Sequence, residues 1–411
     1  MNKQDDGTVL ADQHRRGNRV SVVGGSIGGL TAALLLRDAG WEVDVFERSA
    51  VLLAGRGGGI VLHPSTARYL IERAGVTLAE IGVSARWLRY VDRSGCVAHQ
   101  ERCRYRFASY DSLYRPLLES FGRDRYHLAE ECIGLDDPHG SPCLEFASGR
   151  VARADLVVFA DGINSFGRRL LAPRAEPHYA GYVAWRGTVG EDQVAPDAFN
   201  AVADAITYHI LPAGHVISYP IPRPESSDGS GRLQNWLWYW NVRAGAELDD
   251  LLTGDDGTRF TTSVPRGLVP RYRVSELARR AEARLPPVLA EIVIRTPEPF
   301  IQAIVDVAAE RTVSGRVCLT GDAAFTARPH IAVGTAKAAH DAWTLASALD
   351  GASGDVAEAL LLSSRQQIAL GAATVARSRE VGTRLQSGKW QVGEPLPYGL
   401  YRVSDSWFAD D

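Results

Sequence analysis

The stretch that most constrains the fold is "VSVVGGSIGG", residues 20 to 29, because an apolar run leads through glycines into the helical pattern "LTAALLLRDAG". "WEVDVFERS" follows with strand alternation and ends in Glu47 and Arg48. Strand, glycine turn, helix and strand in this order make a βαβ unit, the opening of a doubly wound parallel sheet. Gly24 permits the tight turn out of the strand, and Gly29 lets the helix pack closely on the sheet. Between them Ser26, Ile27 and Gly28 bring the chain to the helix N-terminus, whose free N–H groups suit a pyrophosphate. Ser26 stands where a second glycine is usual, and its small hydroxyl can donate to a phosphate oxygen. Glu47 lies at the spacing of about 20 residues expected of the acid that accepts from a ribose hydroxyl. These features imply a bound dinucleotide, and by themselves they leave NAD and FAD open.

Composition narrows the function classes. At 411 residues the chain is too long for one core and implies two closely joined domains. A formal charge of −4 without a long basic block argues against nucleic acid or an anionic membrane as partner. No window approaches 18 uninterrupted apolar residues, so no membrane span is expected. The polar first 18 residues lack the apolar centre of a signal peptide and read as a disordered leader, so a cytoplasmic location is expected. Five irregularly spaced cysteines read as reduced thiols, and no metal-ligand spacing occurs.

From Tyr179 the texture changes. "YAGYVAWRGTV", "AITYHILPAGHVISYPIPR" and "RLQNWLWYWNVRA" are rich in aromatic and β-branched residues and read as antiparallel strands. "ESSDGSGR", 225 to 232, reads as a hairpin tip, and "DVAEALLLSSRQQIALGAATVARSREVGTRL" as one or two closing helices.

Two later stretches separate the cofactor alternatives. "ADLVVFADGINSFGRRLL" runs from an apolar strand into Asp161-Gly162, and "GRVCLTGDAAFTARPHIAVGTAKAAHDAWTLASAL" runs into Gly321-Asp322, Pro329 and a further helix. With the glycine turn, and in this order, they resemble the group A flavoprotein aromatic monooxygenases over most of residues 19 to 350. The resemblance implies an α/β fold: a Rossmann-like FAD-binding domain with a parallel sheet, a smaller substrate domain with a mixed or antiparallel sheet, and C-terminal helices. Its boundaries would be 19–80, 101–173 and 300–350 for the FAD-binding domain, 81–100 and 174–299 for the substrate domain, and 351–411 for the helical segment. Gly24, Gly29 and Glu47 would hold the adenosine half of FAD, Asp161 and Gly162 would serve FAD and the nicotinamide, and Asp322 after Gly321 would meet the ribityl chain. The helix after Gly334 and Thr335 would aim its N-terminus at the flavin N1–C2=O region. NADH or NADPH would be a transient donor, O2 the oxidant, and a homodimer is a family-level expectation. The reaction implied is attack of a flavin C4a-hydroperoxide on an electron-rich hydroxylated aromatic or N-heteroaromatic ring.

Departures from the family pattern point to its pyridine-ring branch and a dihydroxypyridine-like substrate. Phe325 replaces the histidine of "GDAAH", Ala332 and Lys337 change "PxxGxGxN", and Tyr110 stands where an arginine is common. Substrate activation needs a base or an acceptor near the ring. His330 after Pro329 is the first candidate, then His63 in "GGGIVLHP", with Tyr239 also a candidate. His209, Tyr219, Trp238 and Arg186 are substrate-side candidates on strands whose inward face the pattern does not reveal. Trp236, Trp238 and Trp240 share one strand face, which lines an aromatic pocket or packs the sheet. An epoxidase or tailoring oxygenase for a larger natural product, and a non-catalytic flavin redox protein, are the alternatives.

Overall fold

The computed structural model describes residues 18–55, 58–223, 231–351 and 355–400. The leader up to residue 17, most of the 225–232 tip and residues 401–411 lie outside the described residues. Among the described residues no helix is long and apolar enough to cross a membrane.

The first strand, β1 (Arg19–Val23), is buried after its first residue, as a strand covered on both faces must be. It leads into α1 (Ile27–Asp38), which starts three residues earlier than the apolar pattern suggests because extended Ser26 stands at its N-cap. α1 is buried almost all round. β2 (Glu42–Phe46) then pairs parallel with β1, with Val22 opposite Val45.

The chain next builds β3 (Gly59–Val61), α2 (Pro64–Glu72), β4 (Val83–Val91), β5 (Val97–Ser109) and α3 (Tyr110–Phe121). The short β6 (Tyr126–His127) precedes a separate three-stranded sheet of β7 (Cys132–Asp136), β8 (Cys143–Phe146) and β9 (Val151–Arg153). β10 (Leu156–Phe159) pairs parallel with β1 on the side away from β2, and α4 (Phe166–Leu171) follows it.

The second sheet is dominated by β11 (His178–Gly190), β12 (Ala205–Leu211), β13 (Gly214–Pro222) and β14 (Arg232–Asn241). β15 (Ser263–Val264), α5 (Arg271–Arg284), α6 (Pro287–Ile294) and β16 (Phe300–Ala308) come next. β17 (Val313–Ser314) and β18 (Val317–Leu319) return the chain to the first sheet, β19 (Phe325–Thr326) pairs with β16, and α7 (Gly334–Gly351) and α8 (Val356–Gln386) close the fold.

Among the described residues the first sheet has the order β17-β18-β10-β1-β2-β6. The order reverses around β1, with β2 on one side and β10 on the other, which is where ligands settle on such sheets. The ends of β1, β10 and β18 deliver Gly24, Asp161 and Gly321 to one edge. The second sheet runs β15-β16-β11-β14-β13-β12-β4-β5-β3, with β19 attached to β16, and carries more strands than the first. One expected boundary falls inside an element: β5 crosses residue 100 without a break, because a strand is one hydrogen-bonded unit that a change of texture does not divide. The strand that begins at residue 300, β16, pairs with β11 in the second sheet. The C-terminal segment is one helix only to Gln386, and residues 387–400 continue without helix or strand.

The faces of the second sheet separate two cores. Trp185, Trp236 and Trp238 pack with Leu277, Leu289 and Ile292 of α5 and α6. Ile217, Tyr219, Leu237 and Tyr239 face the other way. Trp238 therefore lies on the face opposite Tyr219 and Tyr239. His209 turns the same way: Tyr208 belongs to the second group, and the alternation sends His209 to the opposite face, where its Nδ1 lies 2.9 Å from the Val91 carbonyl.

Candidate active site

A cavity of about 490 Å³ lies between the two sheets. Backbone turns make one wall: Ser26 to Gly28, Gly162, Gly321 with Asp322, Pro329, and Gly334 with Thr335. Side chains of the second sheet make the other, among them Arg186, Tyr219, Leu237, Tyr239 and Gln302.

The glycine turn is shaped by close approach. Gly24 has φ +105°, and a Cβ there would lie 2.3 Å from the Ala160 carbonyl oxygen. A Cβ on Gly29 would lie 1.9 Å from the Gly24 oxygen. Gly24 and Gly29 thus shape the cavity from behind while Ser26, Ile27 and Gly28 line it. Glu47 does not line it: its carboxylate accepts from the Gly25 and Ser49 N–H groups, both at 2.9 Å, and so orients the turn. Arg48 is exposed and off the cavity. Two tyrosines support the turn from outside, Tyr126 donating to the Gly25 carbonyl at 2.9 Å and the Tyr110 hydroxyl lying 2.9 Å from Ser26 Oγ. Tyr110 also lines the cavity, a role its place in the sequence did not disclose.

Asp161 caps α4 by accepting from the Phe166 N–H at 2.6 Å. Its other oxygen, Oδ1, is buried without a partner beside two cavity residues, Ala160 and Gly162, and burial pushes the carboxyl up. Asp322 is exposed to the cavity yet ringed by protein, and that enclosure, offset by Lys337, holds its carboxyl up at about 6. Thr320 Oγ1, also in the cavity wall, is a second buried polar atom without a partner.

The three candidates for acid–base chemistry fare differently. His330 does not line the cavity, although Pro329 and Ala332 do. The tight Pro329–Ile331 turn points it between α8, where a Cβ on Gly382 would lie 2.7 Å from its ring, and the second sheet, where its Nε2 lies 2.7 Å from the Tyr182 hydroxyl and its ring 4.8 Å from that of Tyr239. Burial keeps its imidazole neutral, as it does for His215, whose pKa falls to about 3. His63 is fully buried at the start of α2, with Nε2 at 2.7 Å from the Ala332 carbonyl. A carbonyl only accepts, so Nε2 carries the proton, and His63 ties down a residue in the left-handed region, Ala332 at φ 55°. Of the three, only Tyr239 lines the cavity. Burial pushes its phenol far above the ordinary value, with Arg186 pulling the other way, so it stays protonated at neutral pH.

Arg186 and Tyr219, both sequence candidates, also face the cavity. Arg186 Nη1 donates to Gln302 Oε1 at 2.8 Å, its guanidinium lies 5.5 Å from the centre of the Phe300 ring, and its Nε is buried without a partner. Tyr219 donates to the Gly59 carbonyl at 2.9 Å and stacks on Phe107. Sequence reasoning missed Tyr398, which lines the cavity from the segment after α8 and bonds to Tyr208. The aromatic "PLPYGL" was its one signal.

Two helix N-termini, of α1 and α7, thus open on one cavity with glycine-lined backbone between them and two unpartnered acceptor or hydroxyl groups at its edge. That donor set fits a long ligand with phosphates and several hydroxyls, as FAD has.

Comparison with known proteins agrees. Residues 22–93 match the NAD(P)-binding Rossmann-like domain, 179–306 an FAD binding domain-like family, and 287–378 the FAD binding domain. The 2,6-dihydroxypyridine 3-monooxygenase of Paenarthrobacter nicotinovorans is 41% identical over 395 residues, which is 94% of this chain and 97% of that protein. The solved 2,6-dihydroxypyridine-3-hydroxylase from Arthrobacter nicotinovorans superposes with a TM-score of 0.89 at 39% identity, covering 95% of this chain and 98% of the other. Klebsiella pneumoniae HpxO complexed with FAD and uric acid gives 0.73 at 25% identity, covering 90% and 89%. The chain belongs to the group A FAD-dependent monooxygenases.

Proposed function

We propose that the protein hydroxylates a small, electron-rich ring of the hydroxypyridine type, consuming O2 and NADH or NADPH. The observation that carries this reading is the cavity wall in which Arg186, with its unpartnered buried Nε, stands with Tyr219 and Tyr239 opposite the glycine turns. The 41% identical relative, named for a dihydroxypyridine, supports the same ring class.

Ring C–H, O2, NAD(P)H and a proton become ring C–OH, water and NAD(P)⁺. FAD supplies electron transfer from the nicotinamide and activation of O2. In the protein, the α1 N-terminus with Ser26 and Gly28 would receive the pyrophosphate, Asp161 and Asp322 would accept from hydroxyls of FAD, and Gly334 with Thr335 would present the α7 N-terminus to the flavin ring. Arg186 holds a ring oxygen as its anion, which raises the electron density of the carbon to be oxidised. Tyr239 remains a neutral donor to that oxygen. His330 acts from behind Tyr239, as a residue that positions its ring. The two sheets, with Tyr398 between them, exclude water, on which productive use of reduced flavin depends. The first sheet with α1 and α7 forms the FAD-binding part and the second sheet the substrate part. We place the enzyme in the cytoplasm, consistent with its free cysteines, and expect a homodimer.

The test is the visible spectrum of the purified protein, then NADH and NADPH oxidation in the same cuvette with hydroxypyridines and phenols. Flavin bands, oxidation stimulated by hydroxypyridines and a product heavier by one oxygen are expected. Flavin bands with no stimulation by any small ring would overturn the substrate class in favour of a larger substrate or a redox role.

A further inference from the structure

Two departures from the family pattern, Phe325 and Lys337, have no part in the reaction, yet they meet in the structure. The Lys337 ammonium lies 5.1 Å from the centre of the Phe325 ring, and both side chains are 1% exposed. Lys337 projects from the first turn of α7 and donates to Asp341 Oδ2 at 2.5 Å and towards the Gly321 carbonyl at 3.4 Å. The same Asp341 oxygen accepts the Gly321 N–H at 3.0 Å and Gln367 Nε2 of α8 at 3.1 Å. One ion pair on one helix therefore grips Gly321 by both its N–H and its C=O. Away from water such an ammonium needs every partner it has, and the aromatic face is worth most when desolvated.

The gripped turn carries Asp322 into the cavity, and the gripping helix opens on the same cavity at Gly334 and Thr335. We infer that Lys337 is a positioning residue for FAD, locking the turn that bears Asp322 to the N-terminal end of α7 so that two contacts to one cofactor keep a set separation. This rests on the reading that Asp322 meets FAD. Phe325 completes the device as the apolar lid over the ammonium, itself backed by α8, where a Cβ on Gly371 would lie 2.4 Å from the ring.

The experiment titrates apoprotein with FAD and records its melting temperature for Lys337→Met, for Lys337→Met combined with Asp341→Asn, and for Asp322→Ala. The single Lys337 variant leaves a buried carboxylate without its cation, so both melting temperature and FAD affinity should fall, the latter at least tenfold. The double variant contains no unpaired buried charge, and the side-chain amide oxygen that Asp341→Asn retains would still accept the Gly321 N–H. Its melting temperature should return close to wild type while FAD binding stays at least tenfold weaker, because the Gly321 carbonyl has lost its donor. FAD affinity that recovers together with melting temperature would overturn the inference and leave Lys337 a counter-charge only. Wild-type FAD affinity in Asp322→Ala would instead overturn the Asp322 reading, a failure visible apart from the double variant.

Discussion

In the first turn of α1 two neighbouring glycines meet different surroundings, and exchanging each for alanine separates close approach from helix propensity. Propensity alone favours alanine over glycine inside a helix by about 1 kcal/mol. At Gly29 a Cβ would sit 1.9 Å from the Gly24 oxygen and 3.0 Å from the Gly24 carbonyl carbon. Restoring an ordinary van der Waals separation requires α1 and the turn to part by about 1 Å or more. Both obstacles are backbone atoms, so no side chain can swing aside. Opening α1 from the sheet would loosen Leu30 and Leu34, which are fully buried. Overpacking of this kind costs about 1–3 kcal/mol and sometimes more, so Gly29→Ala should destabilise the protein by roughly 3 kcal/mol before the propensity gain and about 2 after it. At Gly28 the Cβ would meet only the Ala338 methyl, at 3.0 Å, which a few tenths of an ångström relieve. Gly28→Ala should therefore stay within about 1 kcal/mol of wild type. Thermal unfolding of the apoproteins gives the stability order, and FAD titration gives the functional one, with affinity reduced at least tenfold in Gly29→Ala. A Gly29→Ala protein as stable as wild type, with full FAD binding, would refute the close-approach account.

Other expectations follow from the buried histidines, the arginine and the tryptophans. His215 and His330 are held neutral when folded and gain protons when unfolded below about pH 6.5, so stability present above that pH is lost as pH falls. The loss is up to about 1.4 kcal/mol per pH unit per histidine, continuing towards pH 3 for His215, and urea midpoints at pH 7 and pH 5 measure it. A His215→Phe variant whose midpoint drops as steeply as wild type would contradict that origin. Arg186→Lys should weaken substrate binding about tenfold, or ~1.4 kcal/mol, with FAD content unchanged. Substrate affinity equal to wild type, read from flavin difference spectra, would remove Arg186 from the site. Trp238→Phe should lower stability by about 1–3 kcal/mol through the cavity it leaves, with substrate preference unaltered. A changed preference among hydroxypyridines would show that Trp238 does reach the substrate.

The sequence by itself determined the βαβ opening, the three turns that carry Gly24, Asp161 and Asp322, and the membership of a flavoprotein family. These were legible because they rest on local physics: strand and helix periods, the conformations open to glycine, and an acid at the end of a strand. Four of the substrate-side and catalytic candidates, His330, His63, His209 and Trp238, nonetheless lie off the cavity. A strand's alternation separates Trp238 from Tyr239 but cannot say which of the two faces the ligand; that was decided by α5 and α6 covering one side of the second sheet. A loop such as Pro329–Ile331 has no period at all, so the aim of His330 depended on α8 arriving from elsewhere in the chain. Tyr398 reached the cavity, and Lys337 met Phe325 beneath Gly321, for the same reason. Contacts between distant segments are chosen by the packing of the whole molecule, and only the tertiary structure records that choice.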